Sequence, residues 1–297
     1  MKSIQEAFIE VKKRFPFKGY MDCKLIKYIT ISDIILTEVP KGSRVLDIGC
    51  GPCDLTAILS KLGYSMTGID DLRDPWHLIG RNRDRIKAFA KEMGISLINE
   101  PIESVKLKEN TFDASLLIDI LEHSLNPRTL LNRAISALKA NGLLLIETPN
   151  SLALAKKALL LIGKSNYPDV RFIYFNIGMY RGHVREYTVS ELKHICEQSG
   201  IMKVKVKLIN STTKSSICES RGFRKTFSKL YDLTSAILPN LRDTIIIFGR
   251  KPEDWKPLDD LIALKFLKSC YKHLVKYNID NEGDDSLVSK IGSEGYI

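Results

Sequence analysis

Residues 44–54, Arg-Val-Leu-Asp-Ile-Gly-Cys-Gly-Pro-Cys-Asp, constrain the fold of this 297-residue chain more than any other stretch. A short apolar run, of the length of a buried strand, passes into a turn with glycine at positions 49 and 51, and an amphipathic stretch opens at Asp54. Glycine at such a turn admits left-handed backbone and lets a ligand approach bare main chain. In an open parallel sheet the turn lies at the carboxyl edge, where cofactors bind. The rest of the chain agrees: apolar runs at 44–48, 65–69, 95–98, 112–118 and 142–147 alternate with amphipathic stretches near 54–62, 82–93 and 127–139. This alternation predicts an α/β, Rossmann-like parallel sheet with helices on both faces, and further strands at 204–209 and 244–248 bring it to seven.

The flanks read as appendages to one catalytic unit. Helical spacing through Ile4, Phe8 and Val11, then Leu25, Ile29, Ile34 and Ile35, lasts until Pro40-Lys41-Gly42 breaks it. Residues 1–40 are therefore expected to be helices capping the core, and 41–252 the main domain, with insertions at about 151–181 and 211–240. Residues 152–162 read as a helix, and Thr188 with Glu191 three residues on marks a helix start. Residues 253–297 are expected to hold a leucine-bearing helix over 258–276 and a frayed end.

The glycine turn narrows the ligand. A dinucleotide fingerprint needs a third glycine at position 54 and a mouth tolerant of pyrophosphate, whereas this turn has Asp54 there and Asp47 beneath it. Two carboxylates repel a pyrophosphate and suit a ligand with an ammonium and a sulfonium, as the methionine half of S-adenosylmethionine presents. Twenty-three residues after Asp47 the second apolar run ends in Asp70-Asp71, where a carboxylate can accept hydrogen bonds from both ribose hydroxyls.

In order along the chain, VLDIGCG, TGID, FDASLLIDILEH and GLLLIETPN resemble the motifs of class I S-adenosylmethionine-dependent methyltransferases. GHVREYTVSELKHICEQSGI (182–201) and DTIIIFGRKP (243–252) are similar to a branch that includes O-methyltransferases of the ubiquinone-biosynthesis type. The resemblance implies Asp47, Gly49, Cys50 and Gly51 at the methionine moiety, Asp70, with Asp71 beside it, at the ribose, and Ile118 and Asp119 closing over the donor. Where relatives often carry an acidic residue for the adenine, Pro101 stands between Glu100 and Glu103. Proline has no N–H to donate, so Ile102 is expected against the ring and Glu103 as acceptor for the exocyclic amine. Residues 72–77 are expected to form an extra loop that covers the nucleoside.

Acceptor chemistry is less constrained. Methyl transfer is an in-line displacement at an already activated sulfonium, so positioning supplies much of the rate and a base is not obligatory. For a hydroxyl acceptor His123 is the candidate base, with a backbone-bonded structural histidine as the alternative. His183, Arg185 and Tyr187 alternate in a segment that, if extended, points all three into an acceptor pocket; the alternative is a loop pinned before the Thr188 cap. Asn150, at the end of the fifth strand, is expected to face the same crevice. Cys50 and Cys53 form a CxxC with no second pair nearby, so no metal is expected.

These residues favour O-methylation of a small-molecule, glycan or lipid-linked acceptor. RNA or protein methylation and a catalytically silent donor-binding subunit are the alternatives. Asp119-Ile-Leu-Glu follows the fourth strand in place of the Asn-Pro-Pro-Tyr type of amino-methylating tetrapeptide, which argues against nucleic acid. The net charge of +10 admits an anionic partner, yet no basic run exceeds three residues, as in a solvated surface. Both insertions interleave basic with apolar residues: Lys156, Lys157, Lys164 and Arg171 in the first, and Arg221, Arg224, Lys225 and Lys229 in the second. Peripheral contact with an anionic membrane and a lid packed on the core are both compatible with this. No apolar run spans a bilayer, the N-terminus lacks a signal-peptide core, and six scattered cysteines read as free thiols, so a cytoplasmic protein is expected.

Overall fold

The computed structural model describes residues 3–167, 169–177, 181–211, 231, 233–271 and 289. Among these, seven strands form one sheet: β1 (Arg44–Ile48), β2 (Ser65–Ile69), β3 (Ser96–Ile98), β4 (Phe112–Ile118), β5 (Leu138–Pro149), β6 (Met202–Ile209) and β7 (Thr244–Arg250), in the order β3-β2-β1-β4-β5-β7-β6. The first five run parallel; β7 is antiparallel to both β5 and β6. The order reverses between β1 and β4, which places the carboxyl ends of those strands at the crevice where open α/β sheets bind ligands.

Helices α1 (Ile4–Arg14), α2 (Leu25–Glu38), α3 (Asp54–Lys61), α4 (Pro75–Leu78) and α5 (Asn82–Glu92) precede β3. Later come α6 (Pro127–Ser136), α7 (Leu154–Leu161), α8 (Arg171–Tyr174), α9 (Val189–Gln198) and α10 (Asp260–Tyr271). Local chemistry sets the boundaries. Ser3 and Glu6 form a capping box at α1, and Thr188 and Glu191 form one at α9. Pro40 prevents α2 from continuing.

Alternate side chains along the strands feed two cores, one on each face. Val45, Ala114, Leu116, Leu143 and Leu145 join α1, α2, α3 and α5. Leu46, Ile48, Leu117, Leu144 and Ile146 join α6 and α9. The predicted seven-stranded sheet and the two leading helices are thus present, and α1 and α2 pack into the first core.

Most boundaries fall within a few residues of the sequence reading, and the junction before β5 shows why one moved. The expected helix to residue 139 ends at Ser136, and β5 begins at Leu138, before the expected residue 142. The cause is distant in sequence: the buried Lys251 ammonium donates to the Leu138 carbonyl at 2.7 Å and the Asn110 amide oxygen at 2.9 Å, holding the chain extended against β4. Residues 72–77, expected as a loop, contain most of the one-turn helix α4. Residues 212–230 and 232 of the second insertion, with Arg221, Arg224, Lys225 and Lys229, lie outside the described residues, as do 272–276 of the expected last helix.

Gly249 of β7 sits where β6 bulges between Met202 and Lys205, and a Cβ there would stand 2.5 Å from Ile201 Cγ2 and 2.7 Å from the Met202 carbonyl. Gly249→Ala is expected to destabilise the fold by about 2 kcal/mol, in the range for overpacking. Chemical denaturation with an unchanged m-value measures it.

Candidate active site

The turn after β1 adopts the geometry its glycines predict. Gly49 has φ +74° and Gly51 φ +51°. A Cβ at Gly49 would meet Ile120 at 2.8 Å, whereas one at Gly51 would have nothing within 4 Å. The first glycine permits close packing of the turn on the end of β4, and the second leaves open space over the main chain. Cys50 Sγ packs toward Gly68 and lies 3.7 Å from Cys53 Sγ, so its side chain is a core contact.

Four carboxylates surround this turn. Asp47 is buried, with Oδ2 accepting from Thr56 at 2.6 Å and Oδ1 without a partner. Burial pushes its acid up to about 7, with neighbouring Asp54 and Asp70 acting in the same direction against Thr56. Asp54, at the start of α3, accepts from the Tyr28 hydroxyl and lies 3.6 Å from the Lys24 ammonium. Asp70 accepts backbone N–H groups from Gly51 at 2.8 Å and Leu72 at 2.7 Å, and burial raises its pKa. Asp71 is bound by both terminal nitrogens of Arg181, at 2.8 and 3.0 Å, and the Arg181 Nε donates to Asp74 at 2.8 Å. Asp70 thus faces the turn, while Asp71 anchors a loop. The buried His77 ring, with neither nitrogen partnered, stands beside Trp76. Phe17 and Tyr20 stack on Trp76 from the segment linking α1 and α2, and burial pushes the Tyr20 phenol up to about 12.

The adenine candidates lie across β3. Ile102 is partly buried against the second core, and Arg133 donates to the Ile102 carbonyl at 3.0 Å and the Glu103 carbonyl at 2.7 Å. Glu103 itself is exposed. At the end of β4, Ile118 packs on the first core, and Asp119 adopts φ +50°. Its Oδ2 accepts from the buried Lys27 ammonium at 2.6 Å, and Lys27 also meets Glu147 at 2.9 Å. Burial disfavours the Lys27 cation, but Glu147 and Asp119 outweigh it and raise the lysine's pKa. Burial likewise opposes the Asp119 anion, but Lys27 holds its pKa below the ordinary range. Glu147 is raised, chiefly by burial.

On the far side, His123 ends a 3-10 turn at Leu121–His123, and its Nδ1 lies 2.8 Å from the Arg181 carbonyl. The three residues expected to line one pocket diverge. His183 stacks edge-on against His123 with ring centroids 4.8 Å apart, and its Nδ1 lies 3.0 Å from Glu186. Arg185 turns out to Glu191, and Tyr187 is buried in the second core. The reason is that the Val184 and Arg185 N–H groups both donate to the Glu122 carbonyl, which breaks the extended alternation. Asn150 is likewise a structural tie: its amide donates to the Asn240 and Arg242 carbonyls, and its oxygen accepts from Leu152. It closes the end of β5 and does not open into the crevice.

Sequence reasoning passed over Lys24, Lys27, Thr56, Glu122, Glu147 and Arg181. A lone lysine on the buried face of LIKYITISDIILTE and a lone glutamate ending LLLIE were the available signals.

Residues 18–206 match the methyltransferase domain family, and the chain belongs to it. The domain is that of an S-adenosylmethionine-dependent methyltransferase, of the Rossmann-like fold. Ubiquinone biosynthesis O-methyltransferases are among its similar proteins. That of Rickettsia canadensis is 29% identical over 120 residues, 40% of this chain and 46% of the relative. That of Glaesserella parasuis is 34% identical over 127 residues, 41% and 50% of the two chains. The chain thus spans about half the length of these curated relatives. Among solved structures, a methyltransferase of Thermotoga maritima superposes with TM-score 0.51 at 15% identity, over 82% of this chain and 99% of that one. One from Archaeoglobus fulgidus gives 0.50 at 20% identity, over the same shares. These two likenesses show the fold.

Lys27→Met removes the cation between two carboxylates and is expected to cost about 3 kcal/mol, as for a buried pair broken on one side. Adding Glu147→Leu is expected to restore part of that loss. Thermal melts of both variants measure the coupling.

Proposed function

We propose that this domain transfers a methyl group from S-adenosylmethionine to an oxygen of a small hydrophobic or lipid-linked acceptor. The donor supplies an electrophilic methyl on a sulfonium. Asp47, with its unpartnered buried Oδ1, and the open main chain at Gly51 suit the methionine end of the donor. Asp70 suits the ribose, because its two backbone hydrogen bonds fix the carboxylate and leave a further lone pair on each oxygen. Ile102 and Glu103 remain the adenine candidates, and Ile118 and Asp119 close that side. His123 is the candidate to take a hydroxyl proton: an Nδ1–H donated to the Arg181 carbonyl puts the ring's lone pair on Nε2.

The observation that carries the acceptor class is the exposed apolar run that precedes His183 in the chain. Lys156 of α7 pairs with Glu186, the partner of His183, so α7 is tied to the acceptor side. Further along the same insertion Leu161 is 88% exposed and Ile177 99% exposed, with Phe172, Tyr174 and Phe175 also in solvent. Apolar patches of this kind mark binding or membrane-surface sites. Among the described residues no helix is long and apolar enough to cross a membrane, so contact through this segment would be peripheral.

Transfer of isotope from methyl-labelled donor into fractionated extract tests the acceptor. Label is expected in the lipid or apolar small-molecule fraction; label confined to RNA or protein would overturn the reading, as would none at all. Asp70→Ala is expected to weaken donor binding roughly tenfold to a hundredfold, the loss of charge-assisted hydrogen bonds, by calorimetry.

A pH dependence follows from Asp47. Its pKa is raised from 3.8 to about 7, so the ligand-free fold holds a proton that the unfolded chain releases. Stability from this group is present at low pH and declines as pH rises between those values. Donor binding runs the other way, because a cationic ligand favours the carboxylate. Affinity is expected to rise with pH, by up to about tenfold per unit, and level off above about 7, with net proton release on binding below it. Calorimetry in buffers of different ionisation enthalpy reads that proton.

A further inference from the structure

A cavity of about 530 Å³ opens at the amino ends of the parallel strands, on the edge of the sheet opposite the glycine turn. Its wall includes Glu38 at the end of α2, Asp113 near the start of β4, Lys139 and Asn141 near the start of β5, Lys203 of β6 and Arg250 of β7. A recess of about 50 Å³ continues it toward Lys205 and Phe248 and shares Glu38, Lys203 and Arg250. Small-molecule sites fill about 300–1,000 Å³, so the main cavity has room for a metabolite.

Charge is spread unevenly along this wall. At the β4 end Asp113 accepts from Lys139 at 2.7 Å and from the Arg44 N–H at 2.8 Å, which leaves that end neutral. At the β6 end Glu38 is bound by Arg250 at 2.8 Å and by Lys205 at 2.7 Å. Arg250 also donates to the Asn141 carbonyl at 3.2 Å, which fixes the wall between the two ends. Lys203 adds a further ammonium, and among the described residues nothing pairs with it. One carboxylate is thus set against three cations at this end. Lys203 also has φ +53°, where β6 bulges between Met202 and Lys205, and Asn141 has φ +61°. Asparagine adopts left-handed backbone readily; a long side chain there is uncommon, and such conformations gather at ligand clamps.

We propose that this cavity binds a small phosphorylated molecule, its phosphate held at the β6 end by Lys203 and Lys205 and its polar body extending toward Asn141 and Asp113. A phosphate monoester carries nearly two negative charges, which match the excess of two cations there. Lysine ammoniums hold phosphate as point charges and need no fixed planar geometry, as suits side chains on an edge strand. At the neutral end the Asn141 amide can donate and accept, and the Asp113 carboxylate keeps lone pairs for a hydroxyl. The site lies across the sheet from the donor crevice, so it is independent of the acceptor chosen for methyl transfer.

The test uses the 15N-labelled full-length protein, titrated with glucose 6-phosphate, glycerol 3-phosphate or phosphoserine and followed by amide shifts, with inorganic phosphate and glucose as references. At least one ester is expected to shift the Asn141, Gly142 and Lys203 amides saturably and to bind about tenfold tighter than inorganic phosphate, while glucose shifts none. Lys203→Gln and Lys205→Gln are each expected to weaken that binding about tenfold, the loss of one charge-assisted contact, and Lys24→Gln at the donor crevice to leave it unchanged. Inorganic phosphate binding as tightly as every ester would mean an adventitious ion only and would overturn the proposal. So would the absence of saturable shifts with all three esters, affinity unchanged in both lysine variants, or shifts and Lys24 dependence that place the anion at the glycine turn.

Discussion

The arrangement depends on buried negative charge at the carboxyl edge of the sheet and on the few cations that reach it. Lys27 enters from α2 and reaches both Asp119 at the end of β4 and Glu147 in the neighbouring β5, tying an N-terminal helix to two paired strands more than ninety residues away. Lys24, one turn earlier, stands over the Tyr20 ring and near Asp54. Isolated charges in such a place would neutralise or unfold the edge. The two N-terminal helices are therefore part of the crevice wall. With their cations placed against Asp54, Asp119 and Glu147, Asp47 keeps one oxygen unpartnered at the turn where a cationic ligand would be welcome.

The end of β4 divides the crevice into two halves. On one side Ile120 packs so closely on Gly49 that any larger residue there would displace it. On the other, the next three residues turn into Glu122 and His123. Five consecutive positions, 119–123, thus support the glycine turn and carry Glu122 and His123. The positive φ at Asp119 is where the chain changes direction between these tasks. That conformation is uncommon for a residue other than glycine and is tolerated where surrounding bonds fix it, here Lys27 and the Asp119 N–H to the Glu147 carbonyl.

What the sequence made legible was local. The glycine turn, the acid ending β2, the Thr188 capping box and the strand alternation each depend on residues a few positions apart, and each appears where expected. What it hid was long-range. Lys251 decides where β5 begins, more than a hundred residues upstream. Asn150 resembled a crevice residue by topology, yet the carbonyls of Asn240 and Arg242 claim its amide. Tyr187 followed the alternation of an extended strand, and the Glu122 carbonyl, which draws two successive N–H groups, broke it. In each case a hydrogen bond between distant segments outweighed a local preference, as tertiary context routinely does.

Arg181 shows why the two halves behave as one unit. Its guanidinium grips Asp71 and Asp74 in the loop after β2, while its own carbonyl meets His123. The segment that follows donates two N–H groups to Glu122, places His183 against His123 and enters the sheet beside Asn150 at Tyr187. A displacement of residues 181–187 therefore loosens the loop near Asp70 and removes the support of both histidines together.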